Sequence, residues 1–158
     1  MASKPTFLGL VAKLRELKTL KVKVGVLGDA GASPDGTPLA EIAAVHEFGT
    51  SPSSKIQIPQ RSFIRSTFRR TTSDRQKLTE RLLKGVLNGK LSAEQALELL
   101  GQWSVGQIKD TIVKRMTEGP DPQELKPETI ARKGSSTPLI DTGLMRNSIT
   151  YALVKETK

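Results

Sequence analysis

Cysteine is absent and histidine occurs once, at position 46. The first absence excludes disulfides and thiolate-bound metals and fits a reducing compartment. The second leaves no histidine pair for a zinc site, and any Ser-His or Cys-His catalytic pair would rest on His46 alone. Aromatic residues make up 4% of the chain, so a core has to be built mainly from Leu, Ile, Val and Ala. No apolar run approaches the roughly 20 residues that span a bilayer. The first residues include Lys4 without a continuous apolar stretch, so no secretory signal is expected there. There is no Gly-x-Ser-x-Gly turn. Gly25-Val26-Leu27-Gly28-Asp29-Ala30-Gly31 follows a strand-like segment but has neither the dinucleotide spacing nor the Gly-Lys-Ser/Thr ending of a phosphate loop. A turn-rich loop is the plainer reading. Neither enzymatic activity nor a cofactor is expected.

What is present is positive charge, unevenly spread. The 158 residues carry a formal net charge of +9. Residues 1–27 contribute +5, 28–54 contribute −4, 55–90 contribute +8, 91–125 contribute −3 and 126–158 contribute +3. A basic block beside acidic ones can meet nucleic acid, an acidic protein surface or another copy of the chain.

The patterning predicts a single domain over residues 1–158. An amphipathic helix is expected over 5–18, with Phe7, Leu10, Val11, Leu14 and Leu17 at helical spacing. Lys21 to Leu27 alternates as a half-buried strand. Gly28 to Pro38 reads as a loop. A second helix is expected from Thr37 as N-cap, with Pro38 in its first turn, to Gly49 at its end. Leu39, Ile42, Ala43 and His46 share one side of it. Ile56 to Ile58 reads as a short strand before Pro59. Residues 60–88 read as a long helix with a weak point at Thr71-Thr72-Ser73. Asn88-Gly89 is a turn. Ser92 and Gln95 form a capping-box pattern opening a helix to about Met116, so the two helices make a hairpin. A breaker-rich loop is expected over about 117–137, enclosing a short helix from Pro127 to Lys133. Asp141 or Thr142 caps a turn around Leu144 and Met145. Ser148 to Val154 alternates as a closing strand. The fold class that follows is α+β: a small, mostly antiparallel sheet packed by helices, with a long helical hairpin and extended Pro/Gly-rich loops.

Among candidate sites, His46 reads as a packing or capping histidine. Arg61, Arg65 and Arg69 fall at i, i+4 and i+8 and would make one stripe on a helix, continued by Arg70, Arg75, Lys77, Arg81 and Lys84. Such a stripe can be a solvated face, a clamp on an acidic surface or a contact to DNA phosphates. It lacks interleaved aromatics, which disfavours sequence-specific base reading. As an oligomer or partner interface, Arg61, Arg65, Arg69 and Arg70 are paired with the acidic residues Glu47, Asp29 and Asp35. Phe48, Phe63 and Ile64 are expected to pack a helix-to-sheet junction, with Gly49 supplying a positive φ.

Three phrases carry a further resemblance. They are Ala44-Val45-His46-Glu47-Phe48-Gly49-Thr50, Ile58-Pro59-Gln60-Arg61-Ser62-Phe63-Ile64-Arg65 and Pro138-Leu139-Ile140-Asp141-Thr142-Gly143-Leu144-Met145-Arg146-Asn147-Ser148-Ile149. Lys126-Pro127-Glu128-Thr129 precedes the third. In this order they resemble the tail-completion and neck proteins of tailed bacteriophages, of the virion-morphogenesis type, over roughly residues 20–154. The resemblance implies that His46, Phe48, Gly49, Pro59, Phe63, Asp141, Thr142, Gly143, Leu144 and Ser148 are signatures of the fold rather than of a reactive site. It also implies a homo-oligomeric ring, commonly a hexamer, at the head–tail junction of a virion assembled in the bacterial cytoplasm. Its partners would be other neck, connector and tail-tube proteins, with non-specific contact to DNA in the channel and no membrane. Loops 28–38, 50–55 and 117–137 would be docking arms. Two other classes remain open on this reading: a basic nucleic-acid-binding protein, and a minor capsid or tail protein without a closed ring.

Overall fold

The computed structural model describes residues 6–115 and 143–156. Its order is α1 (Phe7–Thr19), β1 (Leu20–Val26), α2 (Leu39–Phe48), α3 (Ile64–Arg70), α4 (Thr72–Leu87), α5 (Ala93–Asp110), a π-helical turn (Thr111–Arg115), α6 (Leu144–Asn147) and β2 (Ile149–Lys155). The two strands form one antiparallel sheet, running from Leu20 opposite Lys155 to Val26 opposite Ile149. The fold is α+β, as the alternating segments predict. Expectations for the loop over about 117–137, the helix from Pro127, Met116 and the capping pair Asp141 and Thr142 lie outside the described residues.

Local chemistry accounts for most boundaries. The Thr6 hydroxyl caps α1 by accepting from Gly9 N at 3.3 Å. β-Branched Val22, Val24 and Val26 then favour extended backbone. The capping box forms: Gln95 N donates to Ser92 Oγ at 3.0 Å and Ser92 N donates to Gln95 Oε1 at 2.9 Å. The Asn88-Gly89 turn closes the α4–α5 hairpin, with Gly89 at φ 73°.

The expected long helix is two helices. It breaks at Thr71, which has φ −96° and ψ 14°. Thr71 Oγ1 donates back to Thr67 O at 2.8 Å, Thr72 Oγ1 to Phe68 O at 2.9 Å, and Arg75 Nη1 to Phe68 O at 3.1 Å. Hydroxyls that bond the preceding turn bend a helix. α3 also begins at Ile64 rather than residue 60, so Arg61 is not on it. Thr37 does not cap α2. Pro38 occupies the N-cap without a side-chain bond, because Thr37 is held in the preceding turn by its N–H on Asp35 Oδ1 at 3.0 Å. Ile56 to Ile58 is not a strand. There Thr50 Oγ1 accepts from Ile58 N at 2.8 Å, a side-chain closure in place of a ladder.

α5 lies across both strands. One apolar cluster joins Ala43, Phe63, Ile108, Ile112, Met145 and Ile149 at the Val26 end of the sheet. A second joins Leu82, Val86 and Ala96 inside the hairpin, with Leu17 of α1 against it. The helix–sheet contact is closest at Gly101, where an added Cβ would sit 2.6 and 2.7 Å from the Tyr151 ring and 3.0 Å from Val22 Cγ2. Gly101→Ala is therefore expected to destabilise the fold by about 1–3 kcal/mol through overpacking. Thermal unfolding should show a fall of about 2–4 °C for each kcal/mol. An unchanged midpoint would mean that α5 lifts off the sheet at no cost.

Candidate functional site

The first two phrases fold into one polar clasp. On α2 the buried stripe is Leu39, Ala43 and Glu47, spaced i, i+4 and i+8, so a carboxylate occupies a core position and is only 4% exposed. α3 needs that carboxylate. Its N-cap is Phe63, which has no side-chain oxygen, so the first N–H groups lack a local acceptor. Glu47 supplies it from another helix. Its Oε2 accepts from Phe63 N and Ile64 N, each at 2.8 Å. Its Oε1 accepts from Arg65 N at 3.0 Å, Arg65 Nε at 2.9 Å and Ser62 Oγ at 2.7 Å. A carboxylate offers about four lone-pair sites, so these donors saturate it. The positive end of the α3 dipole adds to the fit.

The neighbouring residues complete the clasp. Arg61 N donates to His46 O at 2.7 Å. Arg65 Nη2 donates to Glu47 O at 2.8 Å, and its guanidinium lies 4.5 Å from the centre of the Phe48 ring. Gly49 has φ 75° and ψ 175°, a region essentially reserved for glycine. A Cβ there would meet Gln60 N at 3.0 Å and Ile58 O at 3.1 Å. Thr50 N donates to Ile58 O at 3.0 Å, closing the loop that follows.

This geometry corrects several site assignments. Glu47 is not an interface residue, because its carboxylate is turned inward and fully engaged. The Arg61–Arg65–Arg69 stripe does not exist as a helical face. Arg61 precedes the helix and is half-buried, and its Nε has no hydrogen-bond partner among the described residues. Burial pushes its guanidinium pKa below the ordinary value. Arg65 belongs to the clasp, and Arg70 Nη2 donates to Thr111 Oγ1 at 2.9 Å. Phe48 does not pack the helix-to-sheet junction: it is 63% exposed, while Phe63 is fully buried. Asp35 organises its own turn, accepting from Ser33 Oγ and Thr37 N. The Ser33 bond first, then Thr37, holds its pKa below the ordinary value. Asp29 and Pro59 are exposed. Gly143 takes the left-handed conformation that opens α6, Leu144 is exposed, and Ser148 Oγ donates to Met145 O at 2.7 Å.

Sequence reasoning missed the Glu47 clasp and a second buried link. Thr67 Oγ1 lies 2.6 Å from Thr111 Oγ1, fastening α3 to the end of α5. The signal for Glu47 was its spacing, four residues beyond Ala43 on the apolar side of α2. Two surface features also emerge. Val11, Leu14, Arg15, Leu17, Lys18 and Leu83 line an apolar groove of about 520 Å³ between α1 and α4. Asp74, Lys77, Leu78, Arg81 and Trp103 line a smaller cavity of about 260 Å³ between α4 and α5. Among the described residues, no group of three or more His, Asp or Glu could hold a metal ion, and no helix is long and apolar enough to cross a membrane.

The Glu47 pKa has opposed causes. Burial raises it, but hydrogen bonds from Ile64, Ser62 and Arg65 outweigh burial and leave it below the ordinary glutamate value. A folded-state pKa below the unfolded one stabilises the fold fully above about pH 4.3, and that stability is lost as pH falls through the folded value. Glu47→Gln, which presents an amide N–H to some of these donors, should lose about 1–3 kcal/mol at neutral pH. It should also flatten the acid side of the stability–pH curve. Chemical denaturation of both proteins from pH 7 to pH 3 tests this. Parallel acid limbs would remove Glu47 as the titrating group.

Comparison with protein-family models, curated proteins and solved structures finds no match.

Proposed function

We propose that the chain is a structural component of the neck or tail of a tailed bacteriophage. In this reading it is one subunit of a ring that completes the tail or joins head to tail around the DNA channel. The three phrases motivate the class. The observation that carries an assembly role is α1. It runs thirteen residues without one buried side chain. Its Phe7 and Leu8 are 77% and 79% exposed, and Leu14 opens onto the apolar groove with Leu83. An amphipathic helix with that much uncovered apolar surface gains by being covered in a complex. The clasp supports the same reading from the other side. The residues of the first two phrases are spent on shaping the subunit, which leaves function to its outer surfaces. The ring, commonly six-fold in the proteins that the phrases resemble, would contact connector and tail-tube proteins. Its place would be the head–tail junction of the virion.

One observation favours a second reading, direct contact with DNA. Lys77 and Arg81 border the cavity beside Trp103, and exposed Lys84 continues their row on α4. A cationic row next to an indole suits a phosphate backbone with a stacked base.

Electron microscopy of particles from a phage lacking this protein tests the first reading. The expected outcome is filled heads separated from finished tails. Intact, joined virions would overturn it. For the second, purified protein binding to single-stranded DNA should weaken with salt, with a log–log slope of about −0.7 for each phosphate neutralised. Lys77→Ala and Arg81→Ala should each reduce that slope. No binding at low salt would remove DNA contact from the protein's own repertoire.

A further inference from the structure

The sheet has two strands, so each strand has a side with no neighbour within the sheet. Which residues face that side follows from the ladder. Glu156 N donates to Thr19 O at 2.8 Å, which extends the register by one hydrogen-bonded pair. Antiparallel pairs alternate between bonded and non-bonded. Lys21–Val154, Lys23–Ala152 and Gly25–Thr150 are therefore the bonded pairs. Leu20, Val22 and Val24 of β1 turn their N–H and C=O groups outward, as do Tyr151, Leu153 and Lys155 of β2. None of these outward groups has a hydrogen-bond partner among the described residues. Neither strand contains proline, the usual block on such an edge. Towards Val26, α2 and Ile64 of α3 stand close to β1. The free stretch is thus Leu20–Val24 on one strand and Tyr151–Lys155 on the other.

The side chains decide what can pair there. Val22 and Tyr151 face α5, meeting over Gly101. A copy adding its β2 beside β1 would set Leu153 and Tyr151 along Val22 and Val24 and so lengthen the apolar row. On the other face Lys21 and Lys23 would lie beside Val154, Ala152 and Thr150, with no like charge opposed. Pairing β1 with a second β1 would instead oppose lysines with lysines, which is destabilising. Pairing β2 with β2 would leave every β1 edge open. The β1-to-β2 arrangement satisfies both edges of every copy through one kind of contact without opposing lysines, and it is head-to-tail, the geometry that makes a ring when its rotation closes.

We infer that neighbouring copies of this chain join edge to edge, β1 of one pairing antiparallel with β2 of the next, so that the two-stranded sheet is one segment of a sheet shared by the whole assembly. This rests on the ring reading above and names its seam. Residues bonded inside the subunit's own ladder become the non-bonded, closer pairs across the seam, with Cα atoms about 4.5 Å apart. That lies within the Cα range of about 4.4–6.8 Å that a disulfide accepts.

The cysteine-free chain makes the test clean. Lys23→Cys and Ala152→Cys are introduced in separate chains, because in one chain the two positions already face each other. Lys21→Cys with Val154→Cys adds a second pair in the same register, and mixing Lys21→Cys with Ala152→Cys, or Lys23→Cys with Val154→Cys, covers registers shifted by two residues. Both positions of each pair lie on the face of the sheet turned away from α5, so the core is untouched. Cross-linking by mild oxidation is carried out on purified protein at high concentration and on particles assembled from mixed variants. The expected result is covalent dimer on a non-reducing gel from a mixture and none from either variant alone. Particles that contain the protein but give no dimer from any mixture overturn the seam and leave the ring reading standing. Dimer from Ala152→Cys or Val154→Cys alone, equal to that in the mixture, also overturns it, in favour of a β2–β2 contact. Particles without the protein overturn the ring reading itself, and the seam falls with it.

Discussion

The fold depends on one buried carboxylate. Glu47 stands where α2 would otherwise carry an apolar residue, and it joins α2 to a stretch of chain fifteen to eighteen residues further on. Through its two oxygens it starts α3 and orients Arg65. An isolated seven-residue helix is not stable in water, so α3 exists because its first N–H groups find an acceptor and its Phe63 finds a core. The two conditions are linked, because the N–H of Phe63 itself is one of the groups bound. Removing the carboxylate would unfasten the cap and loosen the largest side chain of the core together.

Scarcity of aromatics gives this device its weight. With few large rings, the apolar clusters are small, and the interface between α3 and α5 is finished with polar links. Beside the half-buried Phe68, Thr67, Thr111 and Arg70 complete that contact by hydrogen bonding. Such links are directional. They fix the angle between helices more narrowly than aliphatic contact does, and they cost dearly when one partner is lost. The break at Thr71 belongs to the same pattern. It lets α3 follow the clasp while α4 follows the hairpin, two demands that one straight helix could not meet.

Elements whose cause is local were legible in the sequence. The alternating valines of β1, the Ser92–Gln95 box, the Asn88-Gly89 turn and the positive φ of Gly49 each depend on residues within a few positions. The weakness at Thr71–Ser73 was legible for the same reason. What could not be read was set by partners distant in sequence. Arg61, Arg65 and Arg69 have ideal helical spacing, yet the backbone before Phe63 stays out of the helix, where His46 O holds Arg61 N and Glu47 holds the next donors. Glu47 looked like a surface acid because glutamates usually are. Its five donors lie fifteen to eighteen residues away. Phe48 looked like core for the same statistical reason, but the positions turned inward on α2 are Leu39, Ala43 and Glu47, and Phe48 falls to one side.

The two ends of the molecule are finished to different degrees. At the Val26 end of the sheet, Ile149, Met145, Phe63 and Ala43 close over one another and the clasp satisfies the backbone around them. At the Leu20 end, the ladder stops with unpaired groups on both outer sides, and the far end of α1 leaves Phe7 and Leu8 in solvent. Both kinds of incompleteness, open hydrogen-bonding edges and bare apolar residues, are costly in a chain that works alone. A fold that satisfies a buried glutamate five times over has the means to cover an edge with a lysine, a proline or a bulge. Of the three lysines in its strands, Lys155 lies on the α5 side near Glu94, while Lys21 and Lys23 lie on the other face, where they oppose β1 pairing with itself but not the approach of a second β2. In the proposed seam, that asymmetry is what would make the edge selective for β2 over β1.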